Sequence, residues 1–424
     1  YKEAISSWIA NNTDEILNVI NRLCVYSPDE SVIKPIIVDY IRKRLIDHIS
    51  DVVSKDQYVQ PELSERLAGA GILPMFGFPT QSRQFFSWDS QKSKMVEISD
   101  RPLDHAIWSF SPGAEIPKDK KIYTACGFTE VINGKESYSA KPLGEPVSLC
   151  RCIQDSCDYV SFELSEKCNL CGSDVEEFNL FQPRGFMALT KSRDYDGNRH
   201  RGPGLSPPIM AFNPDYKSCG IQELGAATFA LADDRPIALI NDNSGNLFEF
   251  YPSFKNVVVP QEDLYGEKVF PPNVTGELLD TGALGAIFST EVLSMIVSGL
   301  PNGFGSRRVL EASLPSAQAA FYSFGEFLRT AFATELDIEP SEIRVGCQRF
   351  SEGSIPSYQL FFADALENGA GYVRQLFDGG RMYDYLEKHY EKALDEWGSD
   401  NHLECDSSCQ NCLRNFQNRM HHAL

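Results

Sequence analysis

Apolar residues recur every three or four positions through the first fifty residues of the chain. Ile16 and Val19 keep this spacing, and a similar series continues through the run IIVDYIRKRLI. A repeat near 3.6 residues predicts amphipathic helices, and Asn12 with Thr13 would cap the junction between two of them. We therefore expect residues 1–90 to form a helical connector.

The middle of the chain, residues 91–272, is richer in short apolar runs that are typical of strands. Examples are KIYTACGF, RPIALIND and GNLFEFYP. Turn-forming residues from Asn243 to Asn246 separate the last two runs, and this arrangement indicates a hairpin. We expect a β-rich domain here.

Residues 273–424 alternate between the two patterns. The helical stretches SAQAAFYSFGEFLRTAFATEL and GRMYDYLEKHYEKALDEW surround the strand-like runs EIRVGCQRF and SYQLFFADA. This predicts an α/β domain. The whole chain is then a mixed α+β and α/β multidomain protein. It would have an N-terminal helical segment, a β-rich middle that contains a zinc ribbon, and a C-terminal α/β metal-binding domain.

The net charge of the chain excludes some classes of function. The 424 residues carry a net charge of −20, and the sequence pI is 4.8. Phosphate repels such a surface, which excludes a histone-like coat but still allows a local basic groove. No apolar run is long enough for a membrane span, and the first residues lack a secretory signal. We expect a cytoplasmic protein with no membrane partner. The first residue is Tyr1 rather than Met, as in a processed protein or a fragment.

The twelve cysteines are concentrated in two groups that together hold eight of them. Disulfide frameworks usually spread cysteines along a short secreted chain, whereas C-x2-C pairs in a reducing compartment are typical of metal ligands. The isolated Cys24, Cys126 and Cys219 are interpreted as small buried apolar residues.

The first group predicts a zinc ribbon. A C-x4-C pair is followed after ten residues by a C-x2-C pair, and the four ligands would be Cys152, Cys157, Cys168 and Cys171. Gly172 lets the backbone turn around the metal. Four thiolates suit Zn²⁺ and leave no open coordination position, so the role would be structural. Two alternatives stay open: Cys150 as the first ligand in place of Cys152, and free buried cysteines.

The second group lies near the end of the chain, where Cys405, Cys409 and Cys412 follow a C-x3-C-x2-C pattern. Three thiolates do not close a structural zinc site, so a fourth donor is needed. His422 is our first choice because the intervening segment could fold back to the metal. The other candidates are His402, Cys347 and His421. An iron–sulfur cluster and free thiols are the alternatives.

A basic loop is the candidate nucleic-acid contact. The stretch KSRDYDGNRHRGPG contains Lys191, Arg193, Arg199 and Arg201, with His200 between the last two. Cationic side chains in a glycine-bearing loop suit phosphate. A solvated loop in which Asp194 and Asp196 pair with the cations is the equal alternative.

Three other patterns have simpler structural interpretations. The aromatic residues near Arg83 could stack on bases, but core packing is favoured; they are Phe76, Phe78, Phe85, Phe86 and Trp88. The turn from Asp364 through Glu367 to Gly369 resembles a phosphate loop, but its carboxylates favour a packing turn. His105 beside Asp104 is interpreted as structural rather than as a nuclease site.

Several segments together resemble a known family. They are LSERLAGAGILPMFGFPT, PGAEIPKDKKIYTACGF, QPRGF, FFADALENGAGY and the final C-x3-C-x2-CLRN. They are similar to the helicase C-terminal region that follows a DEAD/DEAH-type motor and ends in an MrfA-type zinc-binding domain, as in Druantia- or DISARM-like defence helicases. Many relatives have C-x-C at the start of the last cluster, whereas Leu403 stands two residues before Cys405 here.

The resemblance implies a parent protein that is an ATP-dependent DNA helicase or translocase in bacterial anti-phage defence. The chain itself has neither a G-x-x-x-x-G-K-[ST] phosphate loop nor a DExH tetrad, so we expect no motor in it. Our first hypothesis is an accessory DNA-binding and coupling region. Its partners would be DNA, a helicase motor in cis or on a separate chain, and other defence subunits. The alternatives are a metal-stapled protein-interaction scaffold without DNA contact and, less favoured, a nuclease.

Overall fold

The computed structural model divides the chain into two compact units, Tyr1–Gln81 and Ser82–Leu424. It describes residues 2–24, 30–54, 63–70, 72–73, 82–132, 135–136, 141–154, 157, 159–168, 171–195, 197, 209–212, 219–262, 268–271, 273–297, 315–352, 355–365, 369–380, 382–397, 405, 412–414 and 418.

The first unit is helical, as its apolar periodicity predicts. Its helices are α1 (Lys2–Asn11), α2 (Thr13–Cys24), α3 (Glu30–Lys43), α4 (Leu45–Ser54) and α5 (Leu63–Gly69). The predicted junction lies between α1 and α2, where the side chains of Asn12 and Thr13 donate to the carbonyls of Trp8 and Ile9 at 2.8 and 3.1 Å. The Trp8 carbonyl also accepts from the Asn12 amide at 3.0 Å, so backbone and side-chain hydrogen bonds together hold this junction.

Within the described residues, the second unit contains a large mixed sheet and two separate two-stranded sheets. Its strands are β1 (Ser82–Asp89), β2 (Lys94–Pro102), β3 (Glu115–Lys118), β4 (Lys121–Phe128), β5 (Val131–Ile132), β6 (Lys135–Glu136), β7 (Val147–Cys152), β8 (Val160–Ser161), β9 (Val175–Phe181), β10 (Phe186–Ala188), β11 (Arg193–Asp194), β12 (Ile209–Phe212), β13 (Gly220–Leu224), β14 (Ala227–Asn241), β15 (Phe248–Ser253), β16 (Asn256–Val258), β17 (Gln261–Glu262), β18 (Lys268–Val269), β19 (Asp280–Val297), β20 (Ile343–Glu352) and β21 (Ile355–Asp364). Its helices are α6 (Leu103–Ser109), α7 (Pro315–Leu336), α8 (Tyr372–Asp378) and α9 (Met382–Trp397). The mixed fold class is confirmed.

Strand β19 is the long central strand, and it shows that the predicted hairpin is wrong. β14 pairs antiparallel with β19 as far as Asn241 opposite Leu284, and β15 continues the same ladder at Phe248 opposite Gly282. Both strands therefore run in the same direction, and the turn residues 243–246 form an excursion between them. The 18-residue β19 is long enough to pair with both runs, so it replaces the local partner that the sequence suggested.

The C-terminal helices pack on the last two strands and form the α/β part that was predicted. Gly325 in α7 allows close packing, because a Cβ there would lie 2.9 Å from Val345 Cγ1 and 3.3 Å from Leu360 Cδ2. The core between these layers contains buried Phe332 and Phe362. Burial of each such side chain contributes roughly 1.5–3 kcal/mol.

A second core is aromatic and belongs to the strands around β4. Phe85 stacks on Phe110 at 5.0 Å, and Phe110 meets Phe186 edge-on at 5.6 Å between ring centroids. Phe86 is also buried, and buried Arg83 donates from Nε to the Pro183 carbonyl at 2.7 Å. Core packing is thus confirmed for Phe85 and Phe86. Trp88 is partly exposed, and Phe76 and Phe78 lie outside the described residues.

The sheet crosses two of the domain boundaries that the sequence suggested. β1 begins at Ser82, inside the segment 1–90 assigned to the helical connector, and it belongs to the second unit. β14 and β19 pair across the proposed boundary between residues 272 and 273. The division of function among three domains stays a prediction.

Candidate metal centre

The ribbon cysteines lie on two loops at one end of neighbouring strands. Cys152 ends β7 and Cys157 follows in the next loop, while Cys168 and Cys171 lie between β8 and β9. Short hydrogen bonds fix both loops: the Cys157 amide donates to the Gln154 carbonyl at 2.8 Å, and the Cys168 amide donates to Ser173 at 2.8 Å. Each of the two cysteine pairs is therefore carried by a hydrogen-bonded turn.

Gly172 has the role that the sequence assigned to it. Its φ is +73°, a left-handed conformation that glycine adopts without steric cost. Its amide donates to the Cys168 carbonyl at 2.9 Å, which closes the turn that carries Cys171.

The four sulfur atoms have the separations that a tetrahedral zinc site needs. Cys152 Sγ lies 3.4 Å from Cys171 Sγ, and Cys157 Sγ lies 3.7 Å from Cys168 Sγ. All four ligand atoms lie within 4.8 Å of one another. Zn–S bonds of about 2.3 Å give tetrahedral edges of about 3.8 Å, whereas a disulfide needs about 2.05 Å. The donor set and its dimensions fit zinc.

Cys150, the alternative first ligand, is engaged elsewhere. Its side chain is fully buried, and Sγ donates to the Glu163 carbonyl at 2.9 Å. The group of four that could hold a metal contains Cys152 instead. The geometry favours Cys152 as the first ligand.

The thiols differ in how readily they ionise. Burial raises the pKa of Cys152 to about 11 and also raises the pKa of Cys157. Burial acts against ionisation of Cys171 too, but hydrogen bonds from Ser173 outweigh it and lower the pKa of Cys171 to about 6. Since metal binding requires thiolates, a dication must displace protons from the buried pair.

The second cysteine group is described only in part. Cys405 and Cys412 are half-buried, and Cys412 Sγ donates to the Arg414 carbonyl at 3.5 Å. The remaining candidate ligands Cys409, His402, His421 and His422 lie outside the described residues. Cys347 is buried on β20 in the C-terminal core.

The segment after Cys412 is anchored to the C-terminal core. Leu413 packs against that core, and buried Asn418 donates from Nδ2 to the Leu413 carbonyl at 2.6 Å. On α7, Glu326 and Arg329 form a buried pair at 2.5 Å. Burial raises the pKa of Glu326, while Arg329 and Asn418 act against that rise.

The isolated cysteines divide into two kinds. Cys24 and Cys126 are buried, as predicted, and burial raises the pKa of Cys126 to about 12. Cys219 is exposed, so the prediction of burial was wrong there. It precedes β13, which among the described strands pairs only with β14, and such an edge position leaves the side chain in solvent.

The predicted basic loop is described at its start. Lys191 is exposed, and Arg193 lies on β11, which pairs with β4. Arg193 Nη2 contacts Glu115 Oε2 at 3.0 Å, so one acidic partner of Arg193 lies on β3, outside the loop. Arg199, His200 and Arg201 lie outside the described residues, as does Asp196.

Asp364 occupies the position that a phosphate would take at the start of α8. Its Oδ2 accepts from the amides of Ala370, Gly371 and Tyr372 at 2.6–3.1 Å, and its Oδ1 accepts from Val373 at 3.1 Å. The side chain is fully buried. The turn is a packing turn, in which the protein's own carboxylate uses the amide donors.

Asp104, considered beside His105 as a nuclease site, is also engaged. Its Oδ2 contacts Arg344 Nη2 at 2.5 Å, which joins α6 to β20. Arg344 also lies over the Phe288 ring at 4.6 Å. Among the described residues, the ribbon cysteines are the one group of ligand atoms close enough to hold a metal ion.

Comparison with known protein families matches the C-terminal part of the chain to one class of domain. Residues 324–413 match the family model of the MrfA Zn-binding domain. This segment covers most of α7, all of β20, β21, α8 and α9, and the chain as far as Leu413.

The chain as a whole is similar to a larger protein. It is 25% identical over 457 residues to Druantia protein DruE of Escherichia coli (strain UMEA 4076-1). The similarity covers 98% of this chain but 23% of that relative, so the chain spans less than a quarter of the relative's length. Together with the zinc-binding family match, this confirms the resemblance predicted from the sequence.

Two solved structures also match. One is DUF1998 helicase MrfA bound to DNA, with a TM-score of 0.39 and 9% identity over 84% of this chain and 34% of that chain. The other is the same helicase bound to DNA and AMPPNP, with a TM-score of 0.28 and 9% identity over 78% of this chain and 29% of that chain. No described helix has both the length and the apolar character needed to cross a membrane.

Proposed function

We propose that this chain is a zinc-stabilised DNA-binding and coupling region of an ATP-dependent DNA helicase or translocase in bacterial anti-phage defence. The motor would lie in cis or on a separate chain. The similarity to a Druantia protein along 98% of this chain is the observation that carries the proposal. A cytoplasmic location is consistent with the clustered cysteines, because reducing conditions there keep thiols available to bind metal.

The ribbon would be a folding staple. Four thiolates from Cys152, Cys157, Cys168 and Cys171 complete the coordination of Zn²⁺ and leave no position for a substrate. The separations of 3.4 and 3.7 Å between paired sulfur atoms support this role. The site would hold the ends of β7 and β9 together.

A second metal would be held near the C-terminus. Its proposed ligands are Cys405, Cys409, Cys412 and His422, with zinc as the metal and an iron–sulfur cluster as the alternative. The match of residues 324–413 to a zinc-binding family supports a metal in this part of the chain.

DNA contact is assigned to the basic loop that contains Lys191, Arg193, Arg199 and Arg201. Each neutralised phosphate releases counterions, so the logarithm of the affinity falls with the logarithm of the salt concentration by about 0.9 per contact on duplex DNA. We expect the purified chain to bind labelled duplex oligonucleotide with this signature. Arg199→Gln/Arg201→Gln should reduce the slope by about 1.8.

The matched control is Lys92→Gln/Lys94→Gln, which removes the same charge from the turn after β1 and the first residue of β2. It should leave the slope unchanged. Equal slopes for wild type and the Arg199→Gln/Arg201→Gln variant would assign the contact to other residues. No salt-dependent binding by the wild type would reject DNA binding altogether. An ATPase assay of the same sample tests the expected absence of a motor, because any hydrolysis would contradict it.

The second candidate function is a protein-interaction scaffold without DNA contact. The net charge of −20 favours it. So do exposed apolar side chains on α1 to α3, which are Trp8, Val19, Leu23, Val32 and Ile36. Such exposed groups are typical of protein contacts. The oligonucleotide experiment separates the two candidates, since a scaffold should not bind at any salt concentration.

A further inference from the structure

We infer that the turn between β3 and β4, with β11 beside it, forms a contact surface for the phosphate backbone of a nucleic-acid strand. The surface consists of Lys120 and Lys121 from the turn and Lys191 and Tyr195 from the segment around β11. This inference rests on the proposed function and extends it from Lys191 to Lys120, Lys121 and Tyr195, which the sequence patterns did not single out.

The fold brings two distant basic segments together. β11 pairs with β4 so that Asp194 is opposite Lys121, and the Tyr195 amide donates to the Lys120 carbonyl at 2.8 Å. The lysine-rich turn PKDKK and the loop KSRDY are about seventy residues apart in the sequence. One surface therefore carries cations from both segments.

The ammonium groups of this surface are available to a ligand. Lys120, Lys121 and Lys191 are exposed, and none of them forms an ion pair with an acidic residue in the part of the chain that the structure describes. Lys118 differs, because its ammonium donates to the Ile98 carbonyl. Arg193 is held by Glu115 at 3.0 Å.

The local charge is opposite to that of the chain. Residues 115–121 and 191–195 contain five basic and three acidic residues, whereas the chain has 39 basic and 59 acidic ones. Asp119 and Asp194 are the exposed acids of the surface. A small positive region on an acidic body directs a polyanion to one place and keeps it from the rest.

The two-residue turn that joins β3 and β4 places Asp119 and Lys120 at the tip of a hairpin. Asp119 and Lys120 have φ values of +51° and +61°, the pattern of a type I′ turn in which Asn and Gly are preferred. Lys118 is the direct partner of Lys121 in the β3–β4 register, and Asp194 is the partner of Lys121 on β11. Lys121 therefore has a like charge opposite it on one side and an acidic residue on the other.

Tyr195 adds a group that a strand with accessible bases can use. It is 47% exposed beside the lysines. Aromatic rings stack on bases of any sequence, so lysine contacts to phosphate together with one ring suit a single strand better than a closed duplex. We therefore favour a nucleic-acid strand as the ligand, rather than an anionic membrane or an acidic protein.

The test compares Lys120→Gln/Lys121→Gln with the control Lys92→Gln/Lys94→Gln in the full chain, using a labelled oligothymidylate across a range of salt concentrations. The turn variant should reduce the salt slope by about 1.4, because each lost contact to a single strand removes about 0.7. The control should retain the wild-type slope. Tyr195→Ala should weaken binding by about tenfold with the slope unchanged, and Tyr195→Phe should bind like wild type.

The outcomes are distinct. Binding by the wild type with equal slopes for the turn and control variants would overturn this surface and leave the proposed function intact. No binding of oligothymidylate by the wild type would also overturn this surface, and the proposed function would be rejected only if the wild type failed to bind the duplex oligonucleotide as well. Anionic phospholipid vesicles are the parallel probe, and lysine-dependent binding to vesicles but not to oligothymidylate would also overturn the inference. Thermal melting of each variant checks folding, and the Tyr195→Phe result reports on the surface independently of the lysines.

Discussion

The two cysteine groups of this chain would form metal sites in different ways. The ribbon is local: its four cysteines lie within twenty residues, and backbone hydrogen bonds in two turns set all four sulfur atoms within 4.8 Å of one another. The C-terminal group depends on tertiary structure. Leu413 packs against a core made by α7, α8, α9 and strands β14, β19, β20 and β21, and Asn418 donates to the Leu413 carbonyl.

The difference teaches which kind of site a sequence can specify by itself. A C-x4-C pair with a C-x2-C pair supplies four thiolates and the turns that aim them, so its spacing nearly defines its geometry. A C-x3-C-x2-C group supplies three, and its fourth donor depends on what the fold brings near. The first site should therefore respond to its ligands alone, and the second to both its ligands and its supporting core.

The largest expected effect is loss of the ribbon metal. Cys152→Ser/Cys168→Ser should lower the zinc content by about one equivalent and destabilise the ribbon by several kcal/mol, because a structural zinc site contributes its binding energy to folding. Elemental analysis and thermal unfolding measure the two quantities. The control Cys150→Ser should retain zinc, since the Cys150 thiol donates to Glu163. Zinc loss in the control instead would make Cys150 the ligand.

Removal of the C-terminal metal should have the next largest effect. Cys409→Ser/Cys412→Ser should lower the metal content by about one further equivalent and leave the ribbon zinc in place. An absorption spectrum of the wild type decides the metal, because iron–sulfur clusters absorb visible light and zinc does not. His422→Ala tests the fourth ligand, with His421→Ala as its control. Full metal content in the His422 variant would leave Cys347, His402 and His421 as candidates, and metal loss in the His421 variant would identify His421 as the ligand.

Much of the fold could be predicted from periodicity, and strand partners could not. The repeat of apolar residues identified the helices around Ile16 and Val19, because a helix is set by neighbours along the chain. The relation of β14 to β15 was missed, since both pair with β19, whose partner residues lie 30 or more positions away. Such pairing is decided by burial of the whole sheet rather than by the turn residues near Asn243.

The same reasoning explains the candidate sites. The ribbon ligands lie close in sequence, so their grouping was predictable from spacing. Lys120 was overlooked because its importance depends on β11, which begins at Arg193 and joins β4 only in the folded protein. Cys219 was predicted to be buried because cysteine is usually a buried residue type. It is exposed because it lies beside the edge strand β13.

A carboxylate fixes one turn of the C-terminal core in the way that metal is proposed to fix the ribbon. Asp364→Ala would leave four amides at the start of α8 without their acceptor and should destabilise the second unit by about 3–5 kcal/mol. Asp364→Asn keeps one acceptor oxygen and should cost less. Urea unfolding measures both. Equal stability of wild type and the alanine variant would mean that solvent replaces the carboxylate.

The ion pair between Asp104 and Arg344 joins α6 to β20, and its contribution to stability should depend on pH. Burial acts to raise the pKa of Asp104, but Arg344 outweighs it and holds the pKa below its ordinary value. The pair therefore stabilises the protein above about pH 4, and this contribution is lost as the pH falls towards the lowered pKa. Asp104→Asn should cost about 2 kcal/mol at neutral pH and weaken the acid dependence. Urea unfolding at several pH values measures both, and an unchanged acid dependence would argue against the pair.

The smallest effect is expected from the ion pair beside the ribbon. Lys167 Nζ contacts Asp174 Oδ1 at 2.6 Å, and both side chains are 65% exposed. Solvent and salt screen such pairs, so Lys167→Ala should change stability by less than about 0.5 kcal/mol and leave zinc in place. Thermal unfolding with elemental analysis provides the comparison with Cys152→Ser/Cys168→Ser. If the lysine variant lost zinc, the loop from Cys168 to Cys171 would need its ion pair to hold the metal. The ribbon would then depend on surrounding structure, as the C-terminal group does, and the contrast between the two sites would not hold.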